Sequence, residues 1–107
     1  MKSWGEAHQH CKDEAQPSDG NLVSIPDRET EEFLARMSEN QNFIFWTGAR
    51  SENSVWTWKD GTPWNYINWF DGYPDHLTCM IYHGKTGQWK TKPCLSLRPF
   101  ICQYSNA

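Results

Sequence analysis

Residues 56–69 read Trp56-Thr57-Trp58-Lys59-Asp60-Gly61-Thr62-Pro63-Trp64-Asn65-Tyr66-Ile67-Asn68-Trp69. Four tryptophans and Tyr66 share fourteen positions with a dense set of turn formers, Lys59 to Pro63. Asp60-Gly61 supplies the positive-φ residue of a tight turn, and Pro63 then fixes φ two residues later. Trp56 and Trp58 are two apart, so on a strand they share a face. The stretch reads as a strand and turn feeding a loop that folds back on an aromatic core.

The rest of the chain is too polar to hide those rings elsewhere. Of 107 residues, 37 % are hydrophobic and 15 % aromatic, so the core is built from few, large side chains. The length predicts a single domain over residues 1–107, marginal in stability without added staples. A net charge of −3, with both signs interspersed, offers no basic footprint for nucleic acid and no polybasic membrane patch. No apolar run is long enough to insert in a bilayer, and no signal peptide is visible. The four cysteines, Cys11, Cys79, Cys94 and Cys102, form no C-x-x-C pair. They point to two disulfides and an oxidising compartment rather than to zinc, and the three possible pairings stay open.

Ser3-Trp4-Gly5-Glu6 has the form of a capping box, so a helix is expected from Ser3, burying Trp4, Ala7, His8, Cys11 and Ala15. Pro17 to Gly20 ends it. Leu22 to Ile25 reads as a short strand. Asp27 caps a second helix whose inner face is Phe33, Leu34 and Met37, and Asn40 to Asn42 stops it. Phe43 to Gly48 reads as a central strand and Arg50 to Ser54 as a polar loop. Phe70 to His76 is loop, Thr78 to Tyr82 and Gln88 to Thr91 are strands joined across His83 to Gly87, and Pro99 to Gln103 is a last strand.

The landmarks Phe45-Trp46-Thr47-Gly48-Ala49, Trp56-x-Trp58-x-Asp60-Gly61-Thr62-Pro63, Asn68-Trp69, Gly72-Tyr73-Pro74-Asp75, Cys79, Trp89, Cys94, Phe100 and Cys102 fall in an order that resembles the C-type lectin-like domain over essentially the whole chain. The resemblance implies an α+β fold: two helices flanking two small, mostly antiparallel sheets with a long surface loop and two disulfides. It implies the pairs Cys11–Cys102 and Cys79–Cys94, and a core containing Trp46, Trp56, Trp58, Trp69 and Trp89. It implies an extracellular recognition module, secreted or part of an ectodomain, rather than an enzyme. No nucleophile elbow of the G-x-S-x-G kind is present either. The chain departs from the family at its start, where only Met1 and Lys2 precede Ser3. The family's first strand pairs with its last, so an open edge near Ile101 to Tyr104 and a homodimer along it are expectations.

Sugar-binding members of the family hold calcium with Glu-Pro-Asn or Gln-Pro-Asp in the loop, an acid two residues before the next cysteine, and Asn-Asp after a strand tryptophan. Here the matching positions are Tyr73-Pro74-Asp75, Leu77, and Lys90-Thr91 after Trp89. Calcium wants six to eight oxygens, and only Asp75 keeps a carboxylate. The expectation is therefore no calcium, with Lys90 and Asp75 pairing instead. A protein or other macromolecular ligand would then meet Tyr73, Asp75, His76, Lys90 and Thr91 on the loop face. The alternative is a lectin that binds glycan by direct hydrogen bonds or through zinc, for which Asp71, Asp75 and His76 are the candidates. His8 and His10, two apart on a helix, point to different faces and do not jointly chelate.

Overall fold

The computed structural model describes residues 1–16, 19–38, 44–84 and 86–105. Expectations that fall on Pro17, Ser18, Asn40 to Phe43 and Lys85 lie outside the described residues. The elements are α1 (Trp4–Ala15), β1 (Asp19–Leu22), α2 (Arg28–Ser38), β2 (Ile44–Glu52), β3 (Val55–Trp58), β4 (Cys79–His83), β5 (Gln88–Lys92) and β6 (Cys102–Ser105). They build a four-stranded antiparallel sheet in the order β3-β2-β4-β5 and a two-stranded antiparallel sheet of β1 and β6.

The larger sheet is buried on both faces, and the period of two along its strands sorts the core into two sets. Phe45, Ala49, Met80, Tyr82 and Trp89 face α2 and the tryptophan loop. Trp46, Cys79 and Ile81 face α1, where they meet Trp4, Ala7, Cys11 and Leu22. Trp46 thus lies across the sheet from the other predicted core tryptophans. Trp56, Trp58, Trp64, Trp69 and Trp89 form one continuous ring cluster, with centroid separations from 4.9 Å (Trp58–Trp64) to 6.4 Å (Trp64–Trp69). The loop after Gly61 (φ +85°) carries Trp64 and Trp69 back onto β5, where the Trp89 N–H donates to the Asn68 carbonyl at 3.0 Å.

The capping box of α1 forms as expected: the Glu6 N–H donates to Ser3 Oγ at 3.4 Å, and the Ser3 N–H to Glu6 Oε1 at 3.1 Å. Asp27 caps α2 through the Thr30 N–H at 2.8 Å. The inner face of α2 differs from expectation. Phe33 is 56 % and Met37 50 % exposed, whereas Leu34 is 2 % exposed. The inward stripe runs through Glu31, Leu34 and Ala35 at i, i+3, i+4 spacing, and Phe33 and Met37 sit one residue round the helix. A glutamate occupies a position that the hydrophobic pattern assigns to an apolar residue.

Three other boundaries move. Val23 to Ile25 is buried but irregular, held by the Val23 N–H donating to the Ile101 carbonyl (3.0 Å) and the Gly48 N–H to the Val23 carbonyl (2.8 Å). Arg50 to Glu52 continues β2 and pairs with β3 through a two-residue turn, Asn53-Ser54, with φ values of 53° and 66°. Two positive φ values match the right-handed twist of a hairpin, so the polar stretch is a turn and not a loop. The last strand is Cys102–Ser105; Pro99 instead receives the Trp46 N–H at 2.9 Å.

Both disulfides pair as the family resemblance implies. Cys11–Cys102 ties α1 to β6 with a Cα separation of 5.4 Å, and Cys79–Cys94 ties β4 to the segment after β5 at 5.3 Å. One edge of β6 is taken by β1, with Asn21 opposite Gln103 and Gly20 opposite Tyr104. The segment near Ile101 to Tyr104 is therefore paired on one side, and its other edge has no strand among the described residues. No helix among them is long and apolar enough to cross a membrane.

Candidate functional site

The long loop leaves the core at Phe70, whose N–H donates to the Trp89 carbonyl at 2.9 Å. It turns at Gly72 (φ +89°), where the Tyr73 N–H donates to the Phe70 carbonyl at 3.0 Å, and passes through a cis Tyr73–Pro74 bond. Asp75 follows at the centre of the loop. Its Oδ1 accepts from the Leu77 N–H at 2.9 Å and from the Thr91 hydroxyl on β5. The Thr91 hydroxyl holds the Asp75 carboxyl below its ordinary pKa, against the opposing pull of desolvation and with lesser help from the Leu77 N–H. Thr91 itself is buried, so the bond pins the loop to the sheet.

Lys90 takes another course. Its Nζ lies 4.4 Å from the centroid of the Phe70 ring, a cation–π contact, and it makes no ion pair with Asp75. The expected Lys90–Asp75 pair is therefore corrected: neighbouring residues on a strand point to opposite faces, so Thr91 reaches Asp75 and Lys90 cannot. Asp71, Asp75 and His76 do not gather into a metal-holding group, and no three His, Cys, Asp or Glu do so among the described residues.

A groove of about 350 Å³ runs between loop residues 74–78 and the tip of the β2–β3 hairpin, where Ser51, Asn53, Ser54 and Trp56 form the opposite wall. Of the predicted residues it gathers Asp75 and His76, with Thr91 beneath Asp75; Tyr73, Lys90 and Asp71 are not among its lining. The hairpin wall was not foreseen. Its signal is the alternation of Arg50 to Trp58 around Asn53-Ser54, which lacks the glycine that marks most such turns. Trp56 is half-buried, stacked on Trp64 at 6.3 Å, and so presents a ring that the core holds still. Val55, between two groove residues, is exposed.

Comparison with known proteins supplies a context for this geometry. The family model described as Lectin C-type domain matches residues 1–104. The chain is 32 % identical over 108 residues to the human secretory phospholipase A2 receptor, covering 94 % of this chain but 7 % of the receptor's length. A mouse scavenger receptor C-type lectin carbohydrate-recognition domain superposes with a TM-score of 0.84 at 28 % identity, over 99 % of this chain and 84 % of that one. A calcium-independent type II antifreeze protein superposes with a TM-score of 0.82 at 25 % identity, over 94 % and 77 % of the two chains.

Proposed function

This chain belongs to the C-type lectin domain family, a family of binding modules rather than enzymes, and we propose that it recognises a protein or other macromolecular ligand outside the cell, without calcium, through the groove between its long loop and the β2–β3 hairpin. The observation that carries this reading is the Asp75–Thr91 bond. The one carboxylate left at the family's ion site is spent on holding the loop to β5. Tyr73, Leu77 and Lys90 bring no side-chain carboxylate or amide oxygen to replace the missing ligands. A scaffold already pinned by its own side chains has its loop ordered before any ligand arrives, which lowers the cost of binding. The antifreeze protein that the chain resembles in fold is itself calcium-independent. Exposed Val55 beside the groove, and exposed Ile67 on the tryptophan loop, suit an apolar protein surface better than a sugar.

Calorimetric titration with calcium tests the reading. The expected result is no saturable heat at millimolar ion, and ligand capture that chelator leaves unchanged. A saturable heat that disappears in Asp75→Ala overturns it. A second reading, glycan binding by direct hydrogen bonds, is favoured by one feature. Trp56 offers a ring face among Asn53, Ser54 and His76, groups that suit stacking and hydroxyl recognition. The likeness to a carbohydrate-recognition domain of a scavenger receptor C-type lectin supports that alternative. A glycan array with and without chelator, and with added zinc, separates the two. Self-association along the free edge of β6 is the homodimer this fold permits, and sedimentation at high concentration checks it.

A further inference from the structure

After β5 the chain makes a tight turn, closed by the Ser96 N–H donating to the Pro93 carbonyl at 3.0 Å. Leu95 and Leu97, on and just after this turn, are 87 % and 61 % exposed. We propose that the segment is a docking tip for an anionic phospholipid surface. The two leucines enter the apolar layer, and Lys2, Lys92 and Arg98 meet the headgroups.

The tip is held from three sides. The Trp4 N–H at the start of α1 donates to the Cys94 carbonyl at 2.9 Å, Cys94 is bonded to Cys79 on β4, and Lys2 and Arg98 exchange backbone hydrogen bonds of 3.1 and 2.9 Å. A segment fixed in this way gives up little conformational freedom when it docks. The cations are placed by the same contacts. Residues that exchange both hydrogen bonds of an antiparallel bridge lie directly opposite, so Lys2 and Arg98 project from one face with Cβ atoms about 5 Å apart. Like charges so placed repel and weaken the fold. Lys2, Lys92 and Arg98 are all partly exposed, and none has an ion-pair partner among the described residues. The Glu6 carboxylate feels the Lys2 charge, but it is committed to the Ser3 cap of α1. An anion that approaches the Lys2–Arg98 pair therefore relieves a repulsion that the protein itself leaves standing.

The apolar tip and the cations together choose the occupant. A free phosphate or sulfate would use the cations and leave the leucines in water. An acidic protein surface would need a recess shaped for two protruding side chains, whereas a fluid bilayer closes round them without one. Interfacial binding of this kind adds buried apolar area to attraction for anionic lipid. The chain's net charge of −3 opposes approach only weakly, because salt screens charges more than about 10 Å apart. The three cations are scattered over positions 2, 92 and 98, so no basic run marks the site in the sequence, and the Lys2–Arg98 bridge assembles it.

The test is cosedimentation of the whole chain with vesicles of phosphatidylcholine alone and of phosphatidylcholine mixed with phosphatidylserine. Binding is expected to the mixed vesicles and not to the neutral ones, and is expected to fall steeply as salt rises from about 0.1 M to about 1 M. Neutralising one cation, in Arg98→Gln or Lys92→Gln, is expected to weaken it about fivefold. Replacing both leucines, Leu95→Ser with Leu97→Ser, is expected to weaken it about tenfold. In the wild type, doxyl-labelled lipid is expected to broaden the Leu95 and Leu97 methyl NMR signals. No binding to mixed vesicles, equal binding to neutral ones, or undiminished binding by the double-leucine variant overturns the proposal. So do saturable amide shifts at Lys2 and Arg98 with inorganic phosphate or a poly-glutamate peptide while vesicles leave the chain in solution, which would make the patch a site for a soluble anion. Should a variant not fold, wild-type binding that persists at about 1 M salt, or methyl signals that the labelled lipid leaves sharp, overturns it equally. None of the five residues lines the loop groove, so failure here leaves the reading of the groove untouched.

Discussion

Thr91 and Glu31 are the two residues whose chemistry can be tested most directly. Thr91→Val removes the hydroxyl that contributes most to lowering the Asp75 pKa, so that pKa moves back up. An NMR titration of the Asp75 carboxyl carbon measures the shift. The depressed pKa contributes stability above the ordinary aspartate value, and that stability is lost as pH falls through the folded value. In Thr91→Val the acid limb of the stability curve flattens accordingly. Glu31 has the opposite sign. Its folded pKa is raised by burial, so the folded state holds a proton that the unfolded chain releases, and stability falls as pH rises from the ordinary glutamate range through the folded value. Urea unfolding of Glu31→Gln and wild type across that range is expected to show the difference moving in favour of glutamine as pH rises. Asp75 was legible in the sequence, because a carboxylate beside a loop proline stands out. Its partner was not, because sequence places Lys90 and Thr91 side by side and only the strand's alternation decides which one faces the loop. Glu31 was hidden by its charge: a glutamate in the first turns of a helix is ordinarily a solvated residue.

At the scale of elements, the close approach of α1 to β1 sets a narrow tolerance. A Cβ on Gly20 would lie 2.1 Å from the Cys11 carbonyl oxygen and 2.5 Å from the Ala15 Cβ. Gly20→Ala therefore forces the helix and strand apart, beside the residue that carries the outer disulfide. The expected cost is about 1–3 kcal/mol or more, read from denaturant unfolding. Helix starts were legible because Ser3 and Asp27 are caps with local partners three residues on. The inner face of α2 was not, because hydrophobic pattern ranks Phe33 and Met37 above Glu31, and tertiary contacts with Asn68 and Tyr66 decided otherwise. The β2–β3 hairpin was missed for a related reason. Asn53-Ser54 adopts positive φ without glycine, so its turn chemistry is weaker in the sequence than in the fold.

For the whole molecule, the landmarks that carried the family resemblance are the ones that hold the structure: the tryptophan cluster and the two disulfides. In the chain-entropy account the outer bridge, across a separation of 91 residues, stabilises by about 4–5 kcal/mol, and the inner one, across 15, by about 3 kcal/mol. The outer bridge also has a mechanical meaning. Tension applied to flanking chain on either side of Cys11 and Cys102 passes from one sulfur to the other and never enters the residues between them. A tandem array of such domains held in an optical trap is expected to behave as a string of inextensible knots, lengthening only by the few residues outside each bridge. Adding reductant under load would then release steps of roughly 250 Å each, the contour of the protected interval less the loop that Cys79–Cys94 keeps closed, and a further ~50 Å as that inner bridge is reduced. Steps of that size before reduction would show that force is borne by the fold rather than by the bond.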